Sequence, residues 1–301
     1  MTLDNIPIST QKVKDQIEIV KESLKDPLGR ELARSIHWIK VEGFDSGGDE
    51  QYPIAIAGEG SPILLLHGFD SCFLEFRRIY PLLKKTNQLF VPDLYGFGFC
   101  PRPKGNNFGI DYILNYLDQV LKKFSNKVGM GLIGASMGGG LAVELARRNP
   151  DKINRVMLLS PAGLGAKKAQ VPWPLNHLGA CVLRNSLFRK KICNQAFADP
   201  LKNVGEAEEE IASIHLQVDG WQRSLAAFAL DGGVSINCTP IPTQPLQVIY
   251  GAQDKIIPKD EKERAKSLLK DHLEEINACG HLPHLEQPET VARLWLKGNK
   301  I

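Results

Sequence analysis

The chain has 301 residues, 43% hydrophobic and 24% charged, which is ordinary globular usage and excludes disordered, collagen-like and coiled-coil chains. Its 37 Lys and Arg against 34 Asp and Glu leave a net charge of +3, too balanced for a protein that binds nucleic acid by neutralising phosphates. No run approaches 18 apolar residues, so no membrane span is expected.

Met1 to Thr10 and the mixed-charge run Gln11 to Lys25 lack the basic and apolar regions of a signal peptide. Six scattered cysteines (Cys72, Cys100, Cys181, Cys193, Cys238 and Cys279) show no C-x-x-C spacing. Together these features predict reduced thiols and a cytoplasmic protein. Val13, Ile17, Val20 and Leu24 recur at helical spacing and predict an amphipathic helix in an N-terminal extension, residues 1–34. Ser35 to Val41 and Tyr52 to Ala57 read as strands around a Gly43 to Asp49 turn region, and the aliphatic run Ile63 to Leu66 reads as a strand buried on both faces.

Strands and helices then alternate. Strands are predicted at Gln88 to Val91, Met130 to Ile133, Arg155 to Leu159, Leu246 to Tyr250 and His272 to Ile276. Helices are predicted at Tyr112 to Phe124, Gly138 to Arg148, Lys259 to Lys270 and from Pro288 to about Lys297. Such alternation implies a mostly parallel sheet flanked by helices, with a core of residues 35–163 and 243–301. It pauses over residues 164–242, which read as an inserted cap. Ligands of such sheets bind beyond the carboxyl ends of the strands.

At those ends the sequence becomes specific. Gly134-Ala135-Ser136-Met137-Gly138 matches G-x-S-x-G between a strand and a helix, the setting of a nucleophilic serine on a tight turn. A serine nucleophile needs a base, and the base an orienting acid, in the chain order Ser, Asp or Glu, His. Gly251-Ala252-Gln253-Asp254 and Cys279-Gly280-His281 follow the next two strands after the cap. The loop Ser160 to Gly163, another place for the acid, holds no carboxylate, leaving Asp254 without a rival there. His284, three residues beyond His281 and after Pro283, is expected to pack or cap rather than act. His67-Gly68-Phe69-Asp70 follows the Ile63 to Leu66 strand, so the backbone amides of Phe69 and Met137 are the expected oxyanion hole. His67 itself is expected to organise the loop.

With these motifs, the chain resembles capped, lipase- and esterase-like α/β-hydrolases. The resemblance runs from about residue 50 to the C-terminus, through His67-Gly68, Asp93 to Gly98, Gly134 to Gly139, Gly251 to Pro258 and Gly280-His281 with Glu286 to Glu289. It implies an eight-stranded, mostly parallel sheet flanked by helices, an inserted helical cap and no cofactor. Ser rather than Asp at position 136 argues against the dehalogenase and epoxide-hydrolase branches. Cys100 stands where the loop pattern usually carries Ser, a structural swap. His67 to Ser71 with Leu74-Glu75-Phe76-Arg77-Arg78 is also similar to cyanobacterial and chloroplast hydrolases, some of which act on phytyl or acyl esters.

Two patterns mislead. Gly129-x-Gly131-x-x-Gly134 spells a dinucleotide fingerprint, but it lies before and within a strand, not between strand and helix. His281-x-x-His284 has metal-ligand spacing, but Pro283 argues against a helix and no third ligand is near. Leu164 to Cys193 carries Lys167, Lys168, Arg184, Arg189, Lys190 and Lys191 and no acid, a basic cap suited to peripheral contact with an anionic internal membrane or to receiving an acidic substrate. On a single helical wheel Arg189 falls among Leu178, Val182 and Ile192, which favours a solvated surface instead. The expectation is a serine hydrolase of a small apolar ester, with Ser136 as nucleophile, His281 as base and Asp254 orienting it. A C–C bond hydrolase or acyltransferase is the alternative on the same machinery, and a weakly catalytic receptor the rival from another class.

Overall fold

The computed structural model describes residues 8–44, 50–125, 129–165, 168–236 and 239–298. The readings for Lys167, Cys238, Met1 to Pro7 and most of the Gly43 to Asp49 turn lie outside the described residues. Helices α1 (Ile8–Ser23) and α2 (Pro27–Arg34) lead into an eight-stranded sheet. Its strands are β1 (Ile36–Ile39), β2 (Tyr52–Ala57), β3 (Ser61–Leu66), β4 (Asn87–Pro92), β5 (Met130–Ala135), β6 (Ile153–Leu159), β7 (Leu246–Gly251) and β8 (Leu273–Ile276). In space they run β1-β2-β4-β3-β5-β6-β7-β8. Only β2 runs against its neighbours β1 and β4, and β4 through β8 are parallel across the sheet.

The central strands carry the site, and their composition explains why they are central. Ile63 to Leu66 and all of β5 are buried, as expected of parallel strands covered on both faces. Between them in the chain lie a short helical turn, α3 (Tyr80–Leu83), and α4 (Ile110–Phe124). α4 buries Ile113, Leu114, Leu117, Val120 and Leu121 along one stripe against the sheet. α5 (Met137–Arg148) follows β5 directly and is largely buried.

Between β6 and β7 the chain leaves the sheet to form α6 (Leu175–Arg184), α7 (Ser186–Ala196), α8 (Pro200–Asn203), α9 (Glu206–Ile211) and α10 (Trp221–Asp231). The stems of this insertion are stitched together, since Gly165 donates to the Ile236 carbonyl and Ile236 to that of Gly163, both at 2.8 Å. The single-wheel reading of the cap is corrected here. Asn185 separates α6 from α7 and caps the second helix by accepting from the Phe188 amide at 3.1 Å. Arg189 therefore shares no helix with Leu178 and Val182. After β7 come α11 (Lys259–Leu269), the short α12 (Pro283–Glu286) and α13 (Pro288–Lys297).

The N-terminal helices brace the insertion. Val13, Ile17, Val20 and Leu24 are buried in one cluster with Leu32, Phe76, Ile211 and Val218. Asp26 begins α2 by accepting from the Leu28 and Gly29 amides, and its second oxygen takes the Arg77 Nε–H at 2.7 Å. The buried Arg77 guanidinium also reaches Glu208 of α9 at 2.8 Å, so one side chain joins N-terminal helix, core and insertion.

Candidate active site

The turn from β5 into α5 is strained. Ser136 sits at φ +50° and ψ −118°, outside the wells that non-glycine residues favour. Flanking glycines let the turn close: a Cβ on Gly134 would lie 2.3 Å from the Gly138 carbonyl, and one on Gly138 would lie 2.1 Å from that of Leu66. Larger side chains cannot fit, which is why the pattern is G-x-S-x-G. Asp70, Ser160 and Ala278 also have positive φ, and each follows a strand of the sheet, at the same edge as Ser136. Local strain thus gathers where the candidate residues lie.

Asp254 and His281 meet across the loops after β7 and β8. His281 Nδ1 is 2.9 Å from Asp254 Oδ2. The other carboxylate oxygen accepts the Ile256 and Ile257 amides at 2.8 and 3.2 Å, which locks the acid in place. Burial pushes the Asp254 carboxyl up, but the His281 hydrogen bond and charge, with the two amides, hold it below the usual aspartate range. An ionised Asp254 selects the tautomer with hydrogen on Nδ1 and leaves Nε2 free as a base.

The loop carrying His281 is fixed from two sides. Its amide donates to the Ala196 carbonyl of α7 at 2.7 Å, and a Cβ on Gly280 would lie 2.5 Å from that oxygen. Glu286 accepts the amides of Gly280 and Ala198, so its carboxylate is spent on joining this loop to the insertion. His284 is fully buried, 3.2 Å from Glu75 Oε1 and stacked at 5.2 Å on Phe76. It faces a different carboxylate from His281.

The loop after β3 lies against the serine: a Cβ on Gly68 would be 3.3 Å from the Ser136 Cβ. Among the described residues, the amides of Phe69 and Met137 have no hydrogen-bond acceptor. His67 organises this loop. Its Nε2 accepts the Leu94 amide at 3.0 Å, so Nδ1 carries the hydrogen and donates to the Gly68 carbonyl at 2.8 Å. Burial pushes the His67 imidazole down to about 4, in keeping with a neutral, structural ring. The Cys100 thiol donates to the Asp93 carbonyl at 3.2 Å, a bond that a serine hydroxyl could also make.

Ser136, His281, Gly68 and Phe69 line one cavity of about 290 Å³, closed from the insertion side by Leu183, Arg189, Ile192, Cys193, Ala196 and Ala212. Three charged residues on its wall were not recognised as site residues from sequence. Glu75 accepts the Gly68 amide at 3.1 Å. Burial alone would raise its carboxyl, yet His284, with help from His67, holds it down at about 2. Asp70 accepts from Arg189 (2.6 Å), His215 (3.0 Å) and Trp221 (2.8 Å), three elements of the insertion clamped by the residue after Phe69. Arg189 is thereby neutralised, and the lining holds two carboxylates against one guanidinium. The signal for Glu75 was present in Leu74 to Arg78, but nothing in sequence aims that turn at the site.

Residues 63–294 match the alpha/beta hydrolase family. The chain is 26% identical over 287 residues to the alpha/beta hydrolase domain-containing protein VTE7 of Arabidopsis thaliana, covering 91% of this chain and 86% of that one. It is 28% identical over 258 residues to a 2-hydroxymuconate semialdehyde hydrolase of Pseudomonas sp. (strain CF600), covering 79% and 86%. Among solved structures, the epoxide hydrolase CorEH superposes with a TM-score of 0.71 at 21% identity, over 87% of this chain and 97% of the other, a likeness of fold.

Proposed function

The chain belongs to the alpha/beta hydrolase family, and on that premise we propose that it hydrolyses an uncharged, largely apolar carboxylic ester. One observation carries the reading: the His281–Asp254 hydrogen bond ends at a cavity whose wall also bears the strained Ser136 and Phe69, and the amides of Phe69 and of Met137, the residue after the serine, are unengaged among the described residues. Ser136 Oγ attacks the ester carbonyl carbon while His281 Nε2 takes its proton, and Asp254 stabilises the imidazolium. The amides of Phe69 and Met137 receive the oxyanion, aided by the N-terminus of α5. Collapse of the tetrahedral species breaks the C–O bond, His281 protonates the departing alcohol, and water then releases the acid by the same steps in reverse.

The wall supports an uncharged substrate. Arg189 is already paired with Asp70, and Glu75 places a second carboxylate beside Gly68, so an anionic substrate would find no free cation among the lining residues. Hydrolysis of a C–C bond in a ring-cleavage product is the second reading, favoured by the relationship to 2-hydroxymuconate semialdehyde hydrolase, whose name denotes an acid. A panel of p-nitrophenyl esters beside a ring-cleavage dienoate separates the two. Steady turnover of the esters, lost in Ser136→Ala, is the expected result. Faster cleavage of the dienoate than of any ester would favour the second reading, and a single slow burst on every substrate would point to a receptor.

A further inference from the structure

The large apolar side chains left in solvent are unevenly spread: of 13 markedly exposed among the described residues, eight fall between Val171 and Leu201. On α6 the outward stripe is Leu175, Leu178 and Val182, at i, i+3 and i+7, opposite the buried Asn176 and Ala180. Trp173, just before α6, is 75% exposed, and Leu187, at the start of α7, is 76% exposed. Exposed apolar side chains concentrated in this way mark an interaction site rather than ordinary solvent exposure. It belongs to a segment, Leu164 to Cys193, that contains no Asp or Glu.

The charges that accompany the patch define its partner. Lys168, Arg189 and Lys190 are paired with Asp231, Asp70 and Glu209. Arg184 and Lys191, both exposed, have no acidic partner among the described residues. Bulky apolar groups flanked by unpaired cations, with Trp at the margin, match the headgroup region of an anionic bilayer. A second copy of the chain fits less well, because a two-fold contact through this face would set the same cations against each other. The placement also has a functional sense. α7 turns Arg189, Ile192 and Cys193 toward the cavity and Leu187 and Lys191 to the opposite side, so the roof of the site and the exposed patch are two faces of one helix.

We propose that the outer face of α6 and α7 docks on a phospholipid surface bearing anionic headgroups, with Trp173 and Leu187 inserted among them. The docking goes beyond the hydrolase reading and is measured without substrate. Wild-type protein is sedimented with vesicles of phosphatidylcholine, alone or mixed with phosphatidylglycerol. Two double variants, Arg184→Glu with Lys191→Glu and Trp173→Ser with Leu187→Ser, are compared after thermal unfolding shows them folded. Binding to the anionic vesicles is expected, falling at least about tenfold in either double variant and weakening with salt. Tryptophan emission should shift to the blue on binding, and the shift should vanish in Trp173→Phe. The proposal is overturned by absence of binding to anionic vesicles, by binding that both double variants retain, or by a wild-type dimer that Leu187→Ser dissociates.

Discussion

The sheet and the helical insertion are built on opposite principles. β3, β5 and the second half of β6 bury nearly every side chain, and the turn at the carboxyl end of β5 is pinned by close backbone contacts that admit only glycine at positions 134 and 138. In α6 and α7, by contrast, only Asn176, Ala180 and Ala196 are buried; α10 packs Trp221, Leu225 and Phe228 into the core, and charged and polar contacts complete the tie. Asp70 clamps Arg189, His215 and Trp221; Arg77 bridges to Glu208; Glu286 holds the Ala198 amide. On the proposed function, the contrast assigns separate tasks: the sheet edge holds the reacting groups still, and the insertion decides what reaches them.

If that division holds, the largest effects come from the sheet edge and fall equally on all substrates. Ser136→Ala should reduce ester turnover to the residual of about 10³–10⁴ over water that an oxyanion hole and binding supply, with the melting temperature nearly unchanged. His281→Ala should be as severe, and the double variant no worse than either, because the residues act as one unit. Asp254→Asn should cost on the order of 10⁴ in kcat at unchanged fold, measured by steady-state kinetics. A loss below tenfold would mean that another carboxylate orients the imidazole, and Glu286, with its oxygens committed to two amides, is a poor substitute.

Glu75 tests the link between loop and core through pH. Its folded value of about 2 lies below the ordinary 4.5. The stability it contributes is therefore fully present above pH 4.5 and lost as pH falls toward 2, about 3 kcal/mol in all. Glu75→Gln should lower stability by roughly that amount at neutral pH, and denaturant curves should show the gap to wild type closing between pH 4.5 and 2. A gap independent of pH would place the loss in packing instead of charge. The smallest effects belong to the insertion. Leu183→Ala or Ile192→Ala, each on the cavity wall, should shift acyl-chain preference several-fold while sparing a short acetyl ester. Equal losses at all chain lengths would say that the insertion serves folding alone.

The same contrast explains what sequence revealed. Each strand that β3 to β8 supply was legible as an aliphatic run or an alternation, and Ser136, Asp254 and His281 could be proposed because the chain order and strand ends restrict where such groups can stand. α2 was missed because its eight residues begin at Pro27 and include Gly29, whose place depends on packing against Leu24 and Ile211. In the insertion, α6 and α7 carry apolar residues on both faces, so periodicity alone could not show which face was inside or that Asn185 divides them. Glu75, Asp70 and Arg189 escaped notice for a related reason. Their meaning lies in partners 119 to 209 residues away along the chain for the last two and His284, contacts that no local pattern encodes.

The central claim is that Ser136 is an activated nucleophile facing the cavity. It is tested most directly by treating the protein with a fluorophosphonate and locating the adduct by peptide mass spectrometry. Stoichiometric phosphonylation of Ser136, abolished in His281→Ala and retained in His284→Ala, is the predicted result. No adduct on Ser136 in folded protein, or labelling that needs His284 and not His281, would contradict it.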